Sequence, residues 1–150
     1  MRNLGSLIFT IIIISCSLFP ELSRRDFTYD NKNNKQNIEI LVPKGYAKTE
    51  KIIDSAGNQH QLFYYGNAIL YTGYYTDTTK SFQSIDTSFH IPLPHPRGGL
   101  IYKGIDSAHL YFREIRLYNG LRFGYKNVSQ AQEGAFDSAL NYSSLRSPFK

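Results

Sequence analysis

The dipeptide Asn119-Gly120 is the strongest hairpin signal in the chain, set between an apolar run at 109–118 and a cleanly alternating one at 121–125. Asn and Gly both accept positive φ, which a tight antiparallel turn demands. The same punctuation recurs upstream. Pro43-Lys44-Gly45, Ser55-Ala56-Gly57-Asn58, Gly66-Asn67 and Asp106-Ser107-Ala108 separate short runs at 38–42, 59–65, 68–76 and 100–105, each reading as a strand. Residues 48–54 suit either a strand or a short helix. Twelve Tyr and ten Phe, with no Trp, favour strands over helices.

If the turn at Asn119-Gly120 holds two residues, Phe112, Glu114, Arg116 and Tyr118 share a face with Leu121, Phe123 and Tyr125, while Ile115 and Leu117 point the other way. Neither face is then wholly polar. A bulge near Arg113, or a sheet covered on both sides, resolves the conflict. Residues 77–99 break the pattern. They are polar, then run into Pro92-Leu93-Pro94-His95-Pro96-Arg97-Gly98-Gly99, an extended path that lacks donors at three positions. A loop of this length carries function, moves, or hides a short element such as 80–86.

Ser129-Gln130-Ala131-Gln132 fits a helix-capping box. Beyond it Ala131, Ala135, Phe136, Ala139, Leu140 and Ser143 fall on one stripe at helical spacing, with Gly134 a weak point. The fold class expected is therefore α+β: an antiparallel β-sheet of about six or seven strands with a C-terminal helix packed on it. Val42-Pro43-Lys44-Gly45-Tyr46 and Phe136-Asp137-Ser138-Ala139-Leu140 faintly resemble the opening strand and closing helix of Mog1/PsbP-like domains. That resemblance implies an antiparallel sheet flanked by helices and no catalytic residue. The long central helix of that family has no counterpart here.

The N-terminal end reads differently. Arg2 precedes an apolar stretch at 4–14, long enough for a secretory signal and too short to span a bilayer. The stretch closes on Ile13-Ile14-Ser15-Cys16. Aliphatic, tolerant, small, then Cys: this resembles the lipobox of bacterial lipoproteins, with Ile14 bulkier than usual at its position. The resemblance implies cleavage before Cys16, a thioether diacylglycerol on its sulfur and an acylated (palmitate-type) amino group. More than one acyl chain makes such an anchor stable. Residues 17–36, rich in Asn and Lys over 30–36, read as a flexible tether, with Phe19, Phe27 and Tyr29 available to touch the membrane interface or the domain. The expected organisation is a signal peptide at 1–15, lipidated Cys16 and tether at 16–36, and one α+β domain at 37–150.

Cys16 is the only cysteine. The remainder has no disulfide, no thiolate metal site and no thiol nucleophile, so its core alone must hold it. The net charge of +5 falls by one when Arg2 leaves with the signal. The basic residues are scattered, which argues against a nucleic-acid partner and for a solvated surface or contact with anionic headgroups or polysaccharide. No phosphate loop, dinucleotide fingerprint, nucleophile elbow or metalloprotease helix is present.

Candidate chemistry is sparse. His90 and His95, with His60 or His109, lack ligand-like spacing, so no metal and no cofactor is expected. Asp77, Asp86 and Asp106 could supply a carboxylate pair, although turns and caps account for Asp at such places. Arg113, Glu114 and Arg116 form either an ion-pair network or the wall of an anion or sugar pocket. His95, Arg97, Arg113 and Arg116 are the candidate binding residues. Tyr64, Tyr65, Tyr71, Tyr74, Tyr75, Tyr102, Tyr111, Tyr118 and Tyr125 suit a half-wet sheet or a binding surface. The expectation is a membrane-anchored protein of the bacterial cell envelope, on the outer rather than the inner membrane of a Gram-negative cell. Its domain binds an envelope protein or glycan without catalysis. The alternative is an enzyme or accessory acting on envelope polymers beneath the 77–99 loop, and a third is a structural subunit.

Overall fold

A computed structural model describes residues 21–31, 34–76 and 91–146. Among these residues nine strands and one helix follow in order: β1 (Leu22–Asn31), β2 (Asn34–Pro43), β3 (Lys48–Ile53), β4 (Gln59–Tyr65), β5 (Ala68–Tyr74), β6 (Leu93–Pro94), β7 (Leu100–Ile105), β8 (Tyr111–Arg116), β9 (Leu121–Val128) and α1 (Gln130–Arg146). β3 to β9 form one antiparallel sheet of seven strands in the order β3-β4-β5-β9-β8-β7-β6. It is two local meanders, β3-β4-β5 and β6-β7-β8-β9, joined along the β5–β9 seam. β1 and β2 pair into a separate two-stranded ribbon. The architecture is the expected α+β one, with an antiparallel sheet and a C-terminal helix.

The hairpin turns share one construction. In the β3–β4, β6–β7, β7–β8 and β8–β9 loops the strand ends bond across three residues: Asp54 with Asn58, His95 with Gly99, Asp106 with Leu110, and Leu117 with Leu121. The third loop residue sits in the left-handed region: Gly57, Gly98, His109 and Gly120. This is a type I turn followed by a left-handed residue. The Asp54 and Asp106 carboxylates each accept two loop N–H groups, a capping role for Asp106. Among the hairpins whose loop residues are described, only Gly66-Asn67 closes with two residues, and Gly66 carries the positive φ of a type II′ turn.

The third residue at the Asn119-Gly120 turn moves the register by one. Ile115 lies opposite Phe123 and Arg113 opposite Tyr125, so Ile115, Leu117, Leu121, Phe123 and Tyr125 share one face. Glu114 and Arg116 turn to the other. The register is irregular between Tyr111 and Arg113, the place where a bulge was expected. Both faces hold buried side chains.

One face carries the main core. Phe63, Leu70, Ile115, Leu121, Phe123 and Tyr125 meet Ile38, Ile40 and Val42 of β2, Tyr29 of β1, and Phe136 and Leu140 of α1. Ser129 caps α1 in half of the expected box. The Gln132 side chain reaches back to the Ser129 N–H at 3.4 Å, and the Ser129 hydroxyl donates to the same oxygen. Phe136, Ala139, Leu140 and Ser143 form the buried stripe, and Ala135 is half-buried; Ala131, expected on the stripe, is exposed. The helix also completes β2. The Leu41 N–H donates to Ser143 Oγ at 2.8 Å, and that hydroxyl donates to Ala139 O.

The chain departs from expectation at its N-terminal side. Part of the expected tether is strand: β1 and the first residues of β2 fall within 16–36. The reason is aromatic burial at alternate positions. Tyr29 is buried against Tyr74, and Phe27 meets the Phe63 ring at 6.0 Å. Two anchored rings with a full ladder of pairing offset the ordering entropy that a polar stretch alone could not. Residues 1–16, with Cys16 and the expected signal segment, lie outside the described residues, as do Asp77, 80–86 and His90.

Candidate functional site

The face turned away from β1, β2 and α1 is built around polar groups. Tyr71, Gly124 and Glu114 occupy one row across β5, β9 and β8. Tyr71 is extended over the glycine. Its hydroxyl donates to Glu114 Oε2, and Arg116 Nε donates to Glu114 Oε1, both at 2.5 Å. A Cβ on Gly124 would lie 2.4 Å from Tyr71 Cζ, so only glycine leaves the tyrosine this path. A row further along, Gly73 makes the same kind of room for His60 and Tyr75. Arg122 lies directly opposite Arg116, and Glu114, one row away, supplies the negative charge both need.

Each guanidinium rests on an aromatic ring. Arg116 Cζ is 4.2 Å from the centre of Tyr102, and Arg122 Cζ is 5.4 Å from Tyr75. Arg122 also donates from Nη1 to the Leu117 and Leu121 carbonyls, which ties it to the 118–120 turn. Glu114 and Arg122 are both at 0% exposure. Burial first, and then the neighbouring carboxylate, push the Tyr71 hydroxyl well above its ordinary range, so it stays protonated and acts as a donor. This arrangement holds a buried carboxylate in place.

A second network lies on the core face, between sheet and helix. Asp137 of α1 accepts from Tyr125 Oη at 2.8 Å, Lys103 Nζ at 2.9 Å and Arg113 Nη1 at 3.2 Å. Glu133 adds a second carboxylate 2.9 Å from Lys103. Burial alone would raise the Asp137 pKa. Hydrogen bonds from Lys103 and Tyr125, with the charges of Arg113 and Lys103, reverse that and hold the carboxyl below its usual value.

The four candidate binding residues are thus dispersed. Arg113 and Arg116 sit on opposite faces, each paired with a carboxylate. His95 and Arg97 lie in the β6–β7 hairpin, where the Arg97 N–H donates to His95 Nδ1 at 3.3 Å. Burial, followed by the charges of Arg97 and Arg113, keeps the His95 pKa below that of a free imidazole. His60 is buried beside Tyr75 with Asp54 Oδ2 at 3.6 Å, and its pKa too is lowered, by burial acting against that carboxylate. Among the described residues no three His, Cys, Asp or Glu side chains group as metal ligands do.

Among the described residues, three of the six large exposed apolar side chains lie on the β6 side, the others being Ile53, Ile105 and Tyr142. Ile91 and Leu93 are 92% and 61% exposed among Pro92, Pro94 and Pro96. Tyr118, 75% exposed, adjoins the same hairpin at Gly98. Sequence reading missed Arg122, Gly124 and Asp137 as parts of polar networks. Arg122 and Gly124 looked like the outward positions of an alternating strand; the mixed faces of 112–118 admitted a sheet covered on both sides without marking which residues of β9 the second face buries.

Comparison with known protein families, with curated proteins and with solved structures finds no match to this chain.

Proposed function

We propose that this chain is a lipid-anchored protein of the bacterial cell envelope, held in the membrane through Cys16, whose domain binds an envelope partner rather than performing catalysis. The anchor rests on Ile13-Ile14-Ser15-Cys16 carrying the sole cysteine of the chain. The observation that carries the binding role is the exposed group Ile91, Leu93 and Tyr118 beside Arg97. Large apolar side chains that stand together in water are characteristic of a protein-docking edge. A protein partner fits it better than a glycan.

Membrane flotation of wild-type and Cys16→Ser chains, with the mass of the mature N-terminus, tests the anchor. The expected result is membrane release or failed processing of Cys16→Ser and an acyl mass on wild type. An unmodified Cys16 in a membrane-retained chain overturns it. In the same cells, Leu93→Asp with Tyr118→Asp should abolish capture of the partner that co-purifies with the wild-type chain. Retained capture refutes the docking edge.

A further inference from the structure

We infer that the end of the domain formed by the start of β1, the 44–47 loop and the Gly66-Asn67 turn lies against the membrane and meets anionic phospholipid headgroups. This rests on the anchor at Cys16 proposed above.

The first support is length. Only residues 17–21 separate Cys16 from Leu22, where β1 begins. At full extension that stretch reaches about 20 Å. A tether of the expected length would have let the domain ride well clear of the headgroups. The observed one cannot. β1 itself, ten residues long, runs for about 30 Å.

The second support is which parts lie at each end. At the Leu22 end the Lys44 N–H donates to Glu21 O, Tyr65 Oη donates to Pro43 O, and Asn127 Nδ2 donates to Asn67 O. At the other end of β1 the Gln59 side chain donates to Asp30 O, which places the 55–57 loop there. β9 enters at Leu121 opposite Tyr74 and reaches Lys126 opposite Ile69. The 118–120 turn and Tyr118 therefore share the far end, away from the anchor.

The third support is charge. Arg24, Arg25, Lys44, Lys48 and Lys126 stand near the anchored end; Arg24 pairs with Glu39, Lys44 with Glu21 and Lys48 with Glu50, and Asp26 and Asp106 lie nearby. Arg25 and Lys126 form no ion pair with a carboxylate among the described residues, and Arg25 is exposed, so these two are the cations left for a headgroup phosphate. Arg25 donates to Tyr46 Oη at 2.6 Å, so an aromatic ring and a cation sit side by side, a pairing suited to an interface. The domain then stands with its apolar docking edge pointing outward.

Full-length acylated protein has no free thiol once Cys16 is lipidated, so one introduced cysteine labels one place. Asn67→Cys and Ala56→Cys, both exposed, carry a fluorophore at the two ends. The chains are reconstituted into vesicles of phosphatidylethanolamine with a minority of phosphatidylglycerol, and a headgroup spin label serves as quencher. Quenching several-fold stronger at position 67 than at 56, and reduced by Arg25→Glu with Lys126→Glu, supports the inference. Equal quenching at both, or stronger quenching at 56, in chains that float with the vesicles overturns the orientation alone. Chains that fail to float overturn the anchor, and the orientation with it.

Discussion

Gly124→Ala probes the second face most directly. The added methyl would lie 2.4 Å from both Cζ and Oη of Tyr71 and 2.9 Å from Arg113 O. The Arg113 carbonyl belongs to a paired backbone and cannot retreat, so Tyr71 must move. It is fully buried and its hydroxyl holds Glu114. Overpacking costs about 1–3 kcal/mol. Losing a hydrogen bond to a buried carboxylate costs about 1.5–3 kcal/mol more. Alanine returns roughly 0.4–1 kcal/mol by restricting the unfolded chain. The net expectation is a loss of about 2–5 kcal/mol. At ~4–8 °C per kcal/mol, the melting temperature falls by on the order of 10–30 °C. Urea unfolding followed by far-UV circular dichroism gives the midpoint and slope. Pairing the change with Tyr71→Val should recover part of the loss, since the clash is with that ring. A Gly124→Ala protein within about 0.5 kcal/mol of wild type, on the scale of ordinary surface changes, would refute the reasoning. So would costs that simply add in the double variant.

Two further outcomes are expected. His109 is held at φ 61 at the loop position that Gly57, Gly98 and Gly120 fill elsewhere. His109→Gly should therefore leave stability unchanged or raise it by up to ~1 kcal/mol, whereas His109→Val should lower it by about 1–2 kcal/mol; thermal melts distinguish them. Asp137 has a lowered folded pKa, so its stabilisation is present above the unfolded value of ~3.9 and is lost as pH falls through the lower folded one. Asp137→Asn should cost about 1–3 kcal/mol at pH 7, and the gap to wild type should close below pH ~4; unfolding curves across pH 2–7 that stay parallel would contradict this.

Much of the sheet was legible because turn chemistry is local. The run 59–65 and the run 100–105 match β4 and β7 residue for residue. Gly66-Asn67 closes its hairpin with two residues as expected. What failed was loop length at Asn119-Gly120. One additional residue there turns Ile115 and Leu117 inward and sends Glu114 and Arg116 to the other face. Sequence spacing cannot decide between two and three loop residues, because Asn-Gly suits both. β1 failed for another reason. Its residues are mostly polar and gain order only from pairing with β2 and from Tyr29 reaching Tyr74. Arg113 and Arg116, three apart on a strand, could be assigned to opposite faces from parity alone, and the Glu114–Arg116 pair lies on one strand; what spacing could not supply were Asp137 of α1 for Arg113 and Tyr71 of β5 for Glu114.

The strands at the two margins of the large sheet bear on how copies behave when packed together. A lipid anchor confines molecules to two dimensions, where an unpaired strand would template fibres between neighbours. β6 offers only Leu93 and Pro94, and Pro92, Pro94 and Pro96 lack the N–H that a docking strand would need. β3 presents Lys48, Glu50 and Lys51, whose charges repel an identical strand laid beside them in register. Under the proposed lipid anchor, both margins thus work against edge-to-edge pairing of crowded copies.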